Sequence, residues 1–218
     1  MNHNDIVRQS FKKQAEKFVA YHMSKVEYTD YLIQKIAATG EEHALEVAAG
    51  TCICGRALAP YVKDITCLDM TEEMLAQGIR LAEESHIENI YFQSGNAEKL
   101  PYEPETFDLV ITRLSFHHFD NPEKPFEEMK RVLKKGGKMV VWDMEAAEEP
   151  LREIDDKIEN MRDPSHTRIL SREDVQEEIT NLMKAELEGG RKTGFSPYNK
   201  DSQIMFDHRW LLLIGVKK

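Results

Sequence analysis

ALEVAAGTCICG, residues 44–55, holds an apolar run of Ala44, Leu45, Val47 and Ala48 that stops at small residues and Gly50, with helix-compatible sequence from Ile53 to Leu58 directly behind it. That order spells strand, tight turn and helix, the unit that presents free backbone N–H groups to a bound cofactor. Glu46 lies just before the turn. Asp69 follows Gly50 by 19 residues and closes a second apolar run, Ile65, Thr66, Cys67 and Leu68. An acid about 20 residues beyond such a turn is where an α/β nucleotide fold holds ribose hydroxyls. The pair of features therefore predicts a site for a nucleoside-bearing cofactor.

The bulk numbers restrict the remaining choices. A chain of 218 residues is most simply one domain, large enough to bury roughly 70% of its unfolded surface without a disulfide or metal staple. Hydrophobic residues at 41% and charged residues at 31% describe a globular protein. A net charge of −10 repels phosphate backbones and argues against a nucleic-acid partner. The basic runs at 134–138 and 217–218 are short and read as a solvated helix end and a tail. Cys52, Cys54 and Cys67 cannot all pair, no apolar leader opens the sequence, and no run approaches a membrane span. The expectation is a cytoplasmic protein with reduced thiols and no membrane partner.

Working outward, residues 5–39 carry helical periodicity through Ile6, Phe11, Ala15, Phe18 and Val19, then Tyr28, Tyr31, Leu32 and Ile36. They predict an N-terminal helical cap, with Phe18, Tyr21 and His22 either facing a cleft or packed on the sheet. A strand is expected at 43–48, a helix to Tyr61, a strand at 64–69, and a helix from Thr71 as N-cap to near His86. Strands follow at 89–93 and, after the loop SGNAEKLPYEPET, at 107–112. Asn121 and Pro122 open a helix that Gly136 and Gly137 end, and KMVVWD at 138–143 is the fifth strand. Beyond Glu145 the pattern predicts charged helices at 147–161 and 172–188 and a last strand at 204–216, six strands in all. The predicted fold class is α/β, a doubly wound, mostly parallel sheet. It forms a single domain over 1–218, with a cap (1–40), a cofactor-binding core (41–146), and substrate-side helices with the last strand (147–218).

Four segments, LEVAAGTCICGRALAPYV, ITCLDMTEEML, GNAEKLPYEPETFDLVITRLSFHHF and EEMKRVLKKGGKMVVWD, occur in one order over about 44–143. Together they resemble the class I S-adenosylmethionine-dependent methyltransferases of the small-molecule, ubiquinone-biosynthesis-like type. The resemblance implies a Rossmann-like fold, S-adenosylmethionine as cofactor with S-adenosylhomocysteine as product, and a small-molecule acceptor. It also implies roles. Glu46 would hold the methionine ammonium, and the backbone of Ala48, Gly50 and Cys52 would approach the amino-acid and ribose portion. Asp69 would accept the ribose hydroxyls, with Met70 on the adenine face and Asn96 and Ala97 at its edge; Arg113 and Leu114 would line the reactive end. The chain departs from the family where two glycines of the first turn are Ala48 and Cys52, a change tolerated if neither position requires positive φ. It departs again at Asn96, where aspartate is usual, and in the tail, where the sixth strand is missing from the pattern.

Methyl transfer needs positioning, and a base only when the acceptor must lose a proton. His117 and His118 follow the fourth strand and are the candidate bases, each with a packing role as its alternative. Asp143, at the end of the fifth strand, either orients the acceptor or caps a turn. Arg113 either binds an acceptor carboxylate or pairs with Asp69 or Glu145. No further ligand spacing joins His117, His118 and Asp120 into a metal site, and Cys52 with Cys54 lacks the second pair that a metal or redox motif needs. Three rival readings are a nicotinamide dehydrogenase, opposed by Ile53 where its turn needs glycine, a non-catalytic module that binds the cofactor or its product, suggested by the lost glycines and the irregular tail, and nucleic-acid methylation, opposed by the net charge and by TRLSFHH after the fourth strand. In calorimetric titration S-adenosylhomocysteine is expected to bind and NAD to give no signal. Asp69→Ala should abolish nucleoside binding while the far-ultraviolet spectrum stays unchanged; unaltered affinity would place the ribose elsewhere.

Overall fold

The computed structural model describes residues 2–22, 26–145, 151–169, 183–189, 198–200, 203–205 and 210–217. Two helices, α1 (His3–His22) and α2 (Val26–Ile36), precede the strand β1 (His43–Val47). Then come α3 (Ile53–Leu58), β2 (Asp64–Asp69), α4 (Glu72–Glu84), β3 (Ile90–Ser94), β4 (Phe107–Arg113), α5 (Glu123–Val132) and β5 (Leu133–Met144). The C-terminal part contributes α6 (Leu151–Arg162), β6 (Met183–Gly189), a hairpin of β7 (Tyr198–Lys200) and β8 (Gln203–Met205), and β9 (Trp210–Lys217).

Seven strands form one sheet in the order β3-β2-β1-β4-β5-β9-β6. The first five run parallel, and β9 is antiparallel to both β5 and β6. Strand order reverses between β1 and β4, the crevice where open α/β sheets bind ligands. The near-continuous apolar runs follow from burial on both faces. Leu45, Val47, Val110, Met139 and Val141 join Phe126, Met129 and Val132 of α5 in one core. Their neighbours Ala44, Ile111, Val140 and Trp142 join Leu32 and Ile36 of α2 and Leu58 of α3 in the other.

Three expectations about the chain after α5 are corrected. Gly136 and Gly137 do not end the helix. The backbone turns extended at Leu133, which pairs with Phe107, and the register then shifts before Leu109 meets Lys138, so the glycines sit in an irregular start of β5. Residues 183–188, expected to end a helix, form with Gly189 the edge strand β6, in register with β9 from Met183↔Lys217 to Gly189↔Leu211. The sixth strand is therefore present and the main sheet has seven strands. The last strand is shorter than expected, because 203–205 pairs locally with 198–200 instead. The rest of the helix expected at 172–188 and residues 147–150 lie outside the described residues.

The first turn carries the principal strain. Ala48 (φ 52°), Gly50 (φ 53°) and Cys52 (φ 58°) all lie in the left-handed region. Both glycine replacements thus occupy positions that do require positive φ, so the condition for their being tolerated without strain is not met. A left-handed non-glycine residue costs roughly 1–2 kcal/mol, against about 0.4–1 kcal/mol for the unfolded-chain freedom that glycine adds. Ala48→Gly is accordingly expected to raise the melting temperature by about 1–4 °C in calorimetry, from a net gain of about 0.5–1 kcal/mol. A lower melting temperature would show that the turn is not strained at this position.

Candidate functional site

A cleft enclosing about 860 Å³, its open mouth included, runs over the carboxyl ends of β1, β2 and β4. Its floor comprises Ala48, Gly50, Thr51, Asp69, Met70, Gly95 and Ala97. Asp69 is buried at the end of β2. Its Oδ2 accepts the Gly50 amide at 2.7 Å and its Oδ1 the Thr71 amide at 2.8 Å. A carboxylate offers about four lone-pair sites, more than these two short amide bonds occupy, which suits it to a vicinal diol. Burial pushes the Asp69 carboxyl above its ordinary value, against the pull of those two amides. Glu46 is also buried; its Oε2 accepts the Gly55 amide at 2.7 Å and the Cys67 thiol at 3.6 Å. Burial is the main force raising it to about 7.

The far end of the cleft is apolar and roofed by α1. Asn4, Val7 and Phe11 line it opposite Leu114, Ser115, His118 and Phe119. Phe11 meets the His118 ring edge-on at 4.9 Å, and His3 Nε2 reaches the His118 carbonyl at 2.7 Å. Ser10 and Gln14 of α1 both donate to Asp163, which fixes the helix over the opening. Asp163 also accepts the Ser165 hydroxyl at 2.7 Å. That hydroxyl proton is therefore committed, and Ser165 Oγ, 3.1 Å from His118 Nδ1, acts as acceptor toward the ring. The network assigns the proton to Nδ1 and leaves the lone pair on Nε2. Burial, reinforced by neighbouring His117, holds His118 down to about 3, so it stays neutral near pH 7.

His117 and Asp143 have another role. His117 Nδ1 lies 2.5 Å from Asp143 Oδ1, while Asp143 Oδ2 accepts the amides of Ser115 and Phe116 and Oδ1 that of Met144. Burial works to raise the Asp143 carboxyl, but the charge and hydrogen bond of His117 outweigh it and hold it below its ordinary value. Neither residue lines the cleft; they shape the turn that carries Leu114 (φ 54°) and His118. The expectation that Asp143 faces an acceptor is thus corrected.

Of the other expected cofactor contacts, Glu46, Ala48, Gly50, Asp69, Met70, Ala97, Arg113 and Leu114 line the cleft, whereas Cys52 and Asn96 do not. Cys52 is fully buried, its sulfur packed where a side chain on Gly78 of α4 would have to go. Asn96 closes a local turn, its Oδ1 accepting the Glu98 amide at 2.9 Å. Arg113 pairs with neither Asp69 nor Glu145 and lies instead over the Trp142 ring at 5.3 Å. The side chains of Phe18, Tyr21 and His22 lie outside the described residues. Asn4, Val7 and Phe11 were missed, although the periodicity that marks α1 already puts Val7 and Phe11 on one helix face. Among the described residues no cluster of histidine, cysteine, aspartate or glutamate is placed to hold a metal, all three cysteines are free, and no helix is long and apolar enough to cross a membrane.

A buried acid at the end of β2 and a left-handed turn after β1, at the reversal point of a seven-stranded sheet with an antiparallel β9, define the class I methyltransferase fold. Residues 45–141 match a family described as a methyltransferase domain, and the chain is similar over that stretch to class I S-adenosylmethionine-dependent methyltransferases. It is 36% identical over 138 residues to the uncharacterized methyltransferase YcgJ of Bacillus subtilis (strain 168), covering 63% of this chain and 54% of that protein. It is 35% identical over 111 residues to the ubiquinone/menaquinone biosynthesis C-methyltransferase UbiE of Hydrogenovibrio crunogenus, covering 49% of this chain and 44% of that protein. The matches thus span about half the length of these curated relatives. The crystal structure of the Bacillus YcgJ superposes with a TM-score of 0.78 at 26% identity, covering 87% of this chain and 97% of that one.

The raised Glu46 carboxyl has a pH consequence of definite sign. The folded state keeps the proton up to about 7, whereas the unfolded chain releases it near the ordinary 4.5. Stability is then lost as pH rises between those values. His118 acts in the opposite direction below its ordinary value, so the wild-type curve alone mixes the two. In calorimetry from pH 5 to 7.5, Glu46→Gln should gain stability relative to wild type, by up to about 3 kcal/mol. A difference independent of pH would show that Glu46 is ionised throughout.

Proposed function

We propose that this chain transfers a methyl group from S-adenosylmethionine to a small-molecule acceptor, with S-adenosylhomocysteine as product. One observation carries the reading: a single cleft joins a floor suited to a nucleoside with an amino-acid tail to an apolar chamber that contains one neutral imidazole. The residues present fit the cofactor. Buried Asp69 offers acceptor oxygens for the ribose, Met70 and Ala97 border the place for a flat base, and Glu46 supplies a carboxylate for an ammonium. When bound, S-adenosylmethionine supplies an electrophilic methyl group on a sulfonium.

The protein's part is alignment and exclusion of water. Val7, Phe11, Leu114 and Phe119 enclose the acceptor, which suits an apolar, compact molecule, and α1 closes over it. His118 accepts a hydrogen bond from the acceptor's attacking group at Nε2 and so orients that group toward the methyl carbon. Ser165 and Asp163 hold the ring in that tautomer. Fixing donor and acceptor in line removes most of the orientational cost of a displacement. The names of the quinone-biosynthesis relatives support a small-molecule acceptor. The alternative of a non-catalytic binding module rested on the lost glycines and the irregular tail. The turn keeps its left-handed geometry without them, and residues 183–189 supply the strand the tail had lacked, so neither ground favours it.

Labelled S-adenosylmethionine incubated with the protein and a metabolite extract is expected to label a low-molecular-weight product. His118→Gln should reduce that rate by about 100-fold or more while S-adenosylhomocysteine affinity stays within about twofold. Undiminished transfer would remove His118 from the chemistry; cofactor binding without transfer to any fraction would favour the binding module.

A further inference from the structure

We propose that Arg113 binds the carboxylate of the cofactor's amino-acid portion, so that Glu46 and Arg113 form a two-charge cradle for a zwitterion. The inference rests on the assignment of the cleft to S-adenosylmethionine and goes beyond it. It gives Arg113, expected to line the cofactor's reactive end, a definite partner on the cofactor and makes it a determinant of which nucleosides bind.

Strand register places the two charges together. Glu46 of β1 pairs with Ile111 of β4, so Arg113 is two residues further along on the same sheet face, roughly 6–7 Å nearer the mouth of the crevice. Both residues line the cleft. No ion pair joins them among the described residues, although their charges interact across the gap. Among the described residues neither nearby acid pairs with the guanidinium. The Asp69 oxygens are held by the Gly50 and Thr71 amides, and those of Asp143 by three amides and His117.

Arg113 is itself fixed and unsatisfied. Its guanidinium carbon lies 5.3 Å from the centre of the Trp142 ring, the residue paired with it across β4 and β5. Stacking of this kind fixes the guanidinium plane and its donor edge. Its Nε is buried without a hydrogen-bond partner. An orphaned donor on a charged group is costly, and such groups in folded proteins meet a partner. A carboxylate in the cleft meets the terminal nitrogens, and a small shift of the side chain brings Nε into the same bidentate bond that guanidinium favours. An amino acid carries its ammonium and carboxylate on one carbon, so a ligand whose ammonium meets Glu46 brings an anion to the next position along the crevice.

Three probes test the proposal by calorimetry: S-adenosylhomocysteine, its decarboxylated analogue, and 5′-methylthioadenosine, which lacks the amino acid altogether. In wild type, S-adenosylhomocysteine should bind about 10- to 100-fold tighter than the decarboxylated analogue. In Arg113→Met that ratio should fall to about one, with 5′-methylthioadenosine affinity within about twofold of wild type. Arg113→Lys should give an intermediate ratio, because a point charge lacks the fork. The proposal is overturned if wild type does not distinguish the two amino-bearing probes, a comparison that needs no variant, or if Arg113→Met keeps the ratio. Failure of all three probes to bind wild type would instead remove the cofactor assignment itself.

Discussion

One carboxylate shared between two turns holds the cleft open. Asp69 ends β2, yet its oxygens accept the amide of Gly50 beyond β1 and the amide of Thr71 ahead of α4. It is buried, so little water competes for either donor, and charge-assisted bonds are strong in such surroundings. The Gly50 amide can reach Asp69 only if the chain between β1 and α3 bends sharply, through Ala48, Gly50 and Cys52 in the left-handed region. Two of those three carry a Cβ. The strain persists because the parallel pairing of β1 with β2 and β4 above the turn, and the packing of Cys52 and Cys54 below it, leave no alternative path. The backbone that would approach a ligand closely is thus set by a bond to the same acid that would hold the ligand's sugar.

A second carboxylate works the same way one strand further on. Asp143 gathers the amides of Ser115, Phe116 and Met144 and the ring of His117, and so folds the chain after β4 into a tight turn. That turn puts Leu114 and His118 on the cleft and leaves His117 behind it. Adjacent histidines therefore divide the work. His117 meets an acid and stays in the scaffold, while His118 meets Ser165 and α1 and faces the chamber. Cleft and roof are also linked, since Asp163 orients Ser165 and simultaneously accepts Ser10 and Gln14 of α1.

Much of the fold was legible because burial on both faces of a parallel sheet leaves continuous apolar runs, as at Phe107–Arg113, that few other structures require. The misread segment shows the limit. In MKAELEG, Met183, Ala185 and Leu187 alternate with Lys184, Glu186 and Glu188, a period of two that fits β6. Apart from Gly189, every residue there is also a strong helix former, so propensity and pattern conflict. Pairing with β9 decides it. Leu133–Gly137 failed for a related reason: two glycines look like a helix stop, but the chain had already turned extended one residue after α5 to meet Phe107.

Alone, the amino-acid sequence determined the order of strands and helices through β5, the turn at Gly50, and the acids at 46 and 69. Each of those is a local pattern of polarity, size and spacing. Only the tertiary structure decided which of two neighbouring histidines faces the cleft, that Asp143 is a scaffold acid, that Asn4, Val7 and Phe11 roof the chamber, and that Arg113 is left with an unmet donor. The reason is physical. A side chain's role depends on which partner reaches it first, and those partners, such as Ser165 for His118 or Trp142 for Arg113, lie dozens of residues away in the chain and are brought near only by the packed sheet.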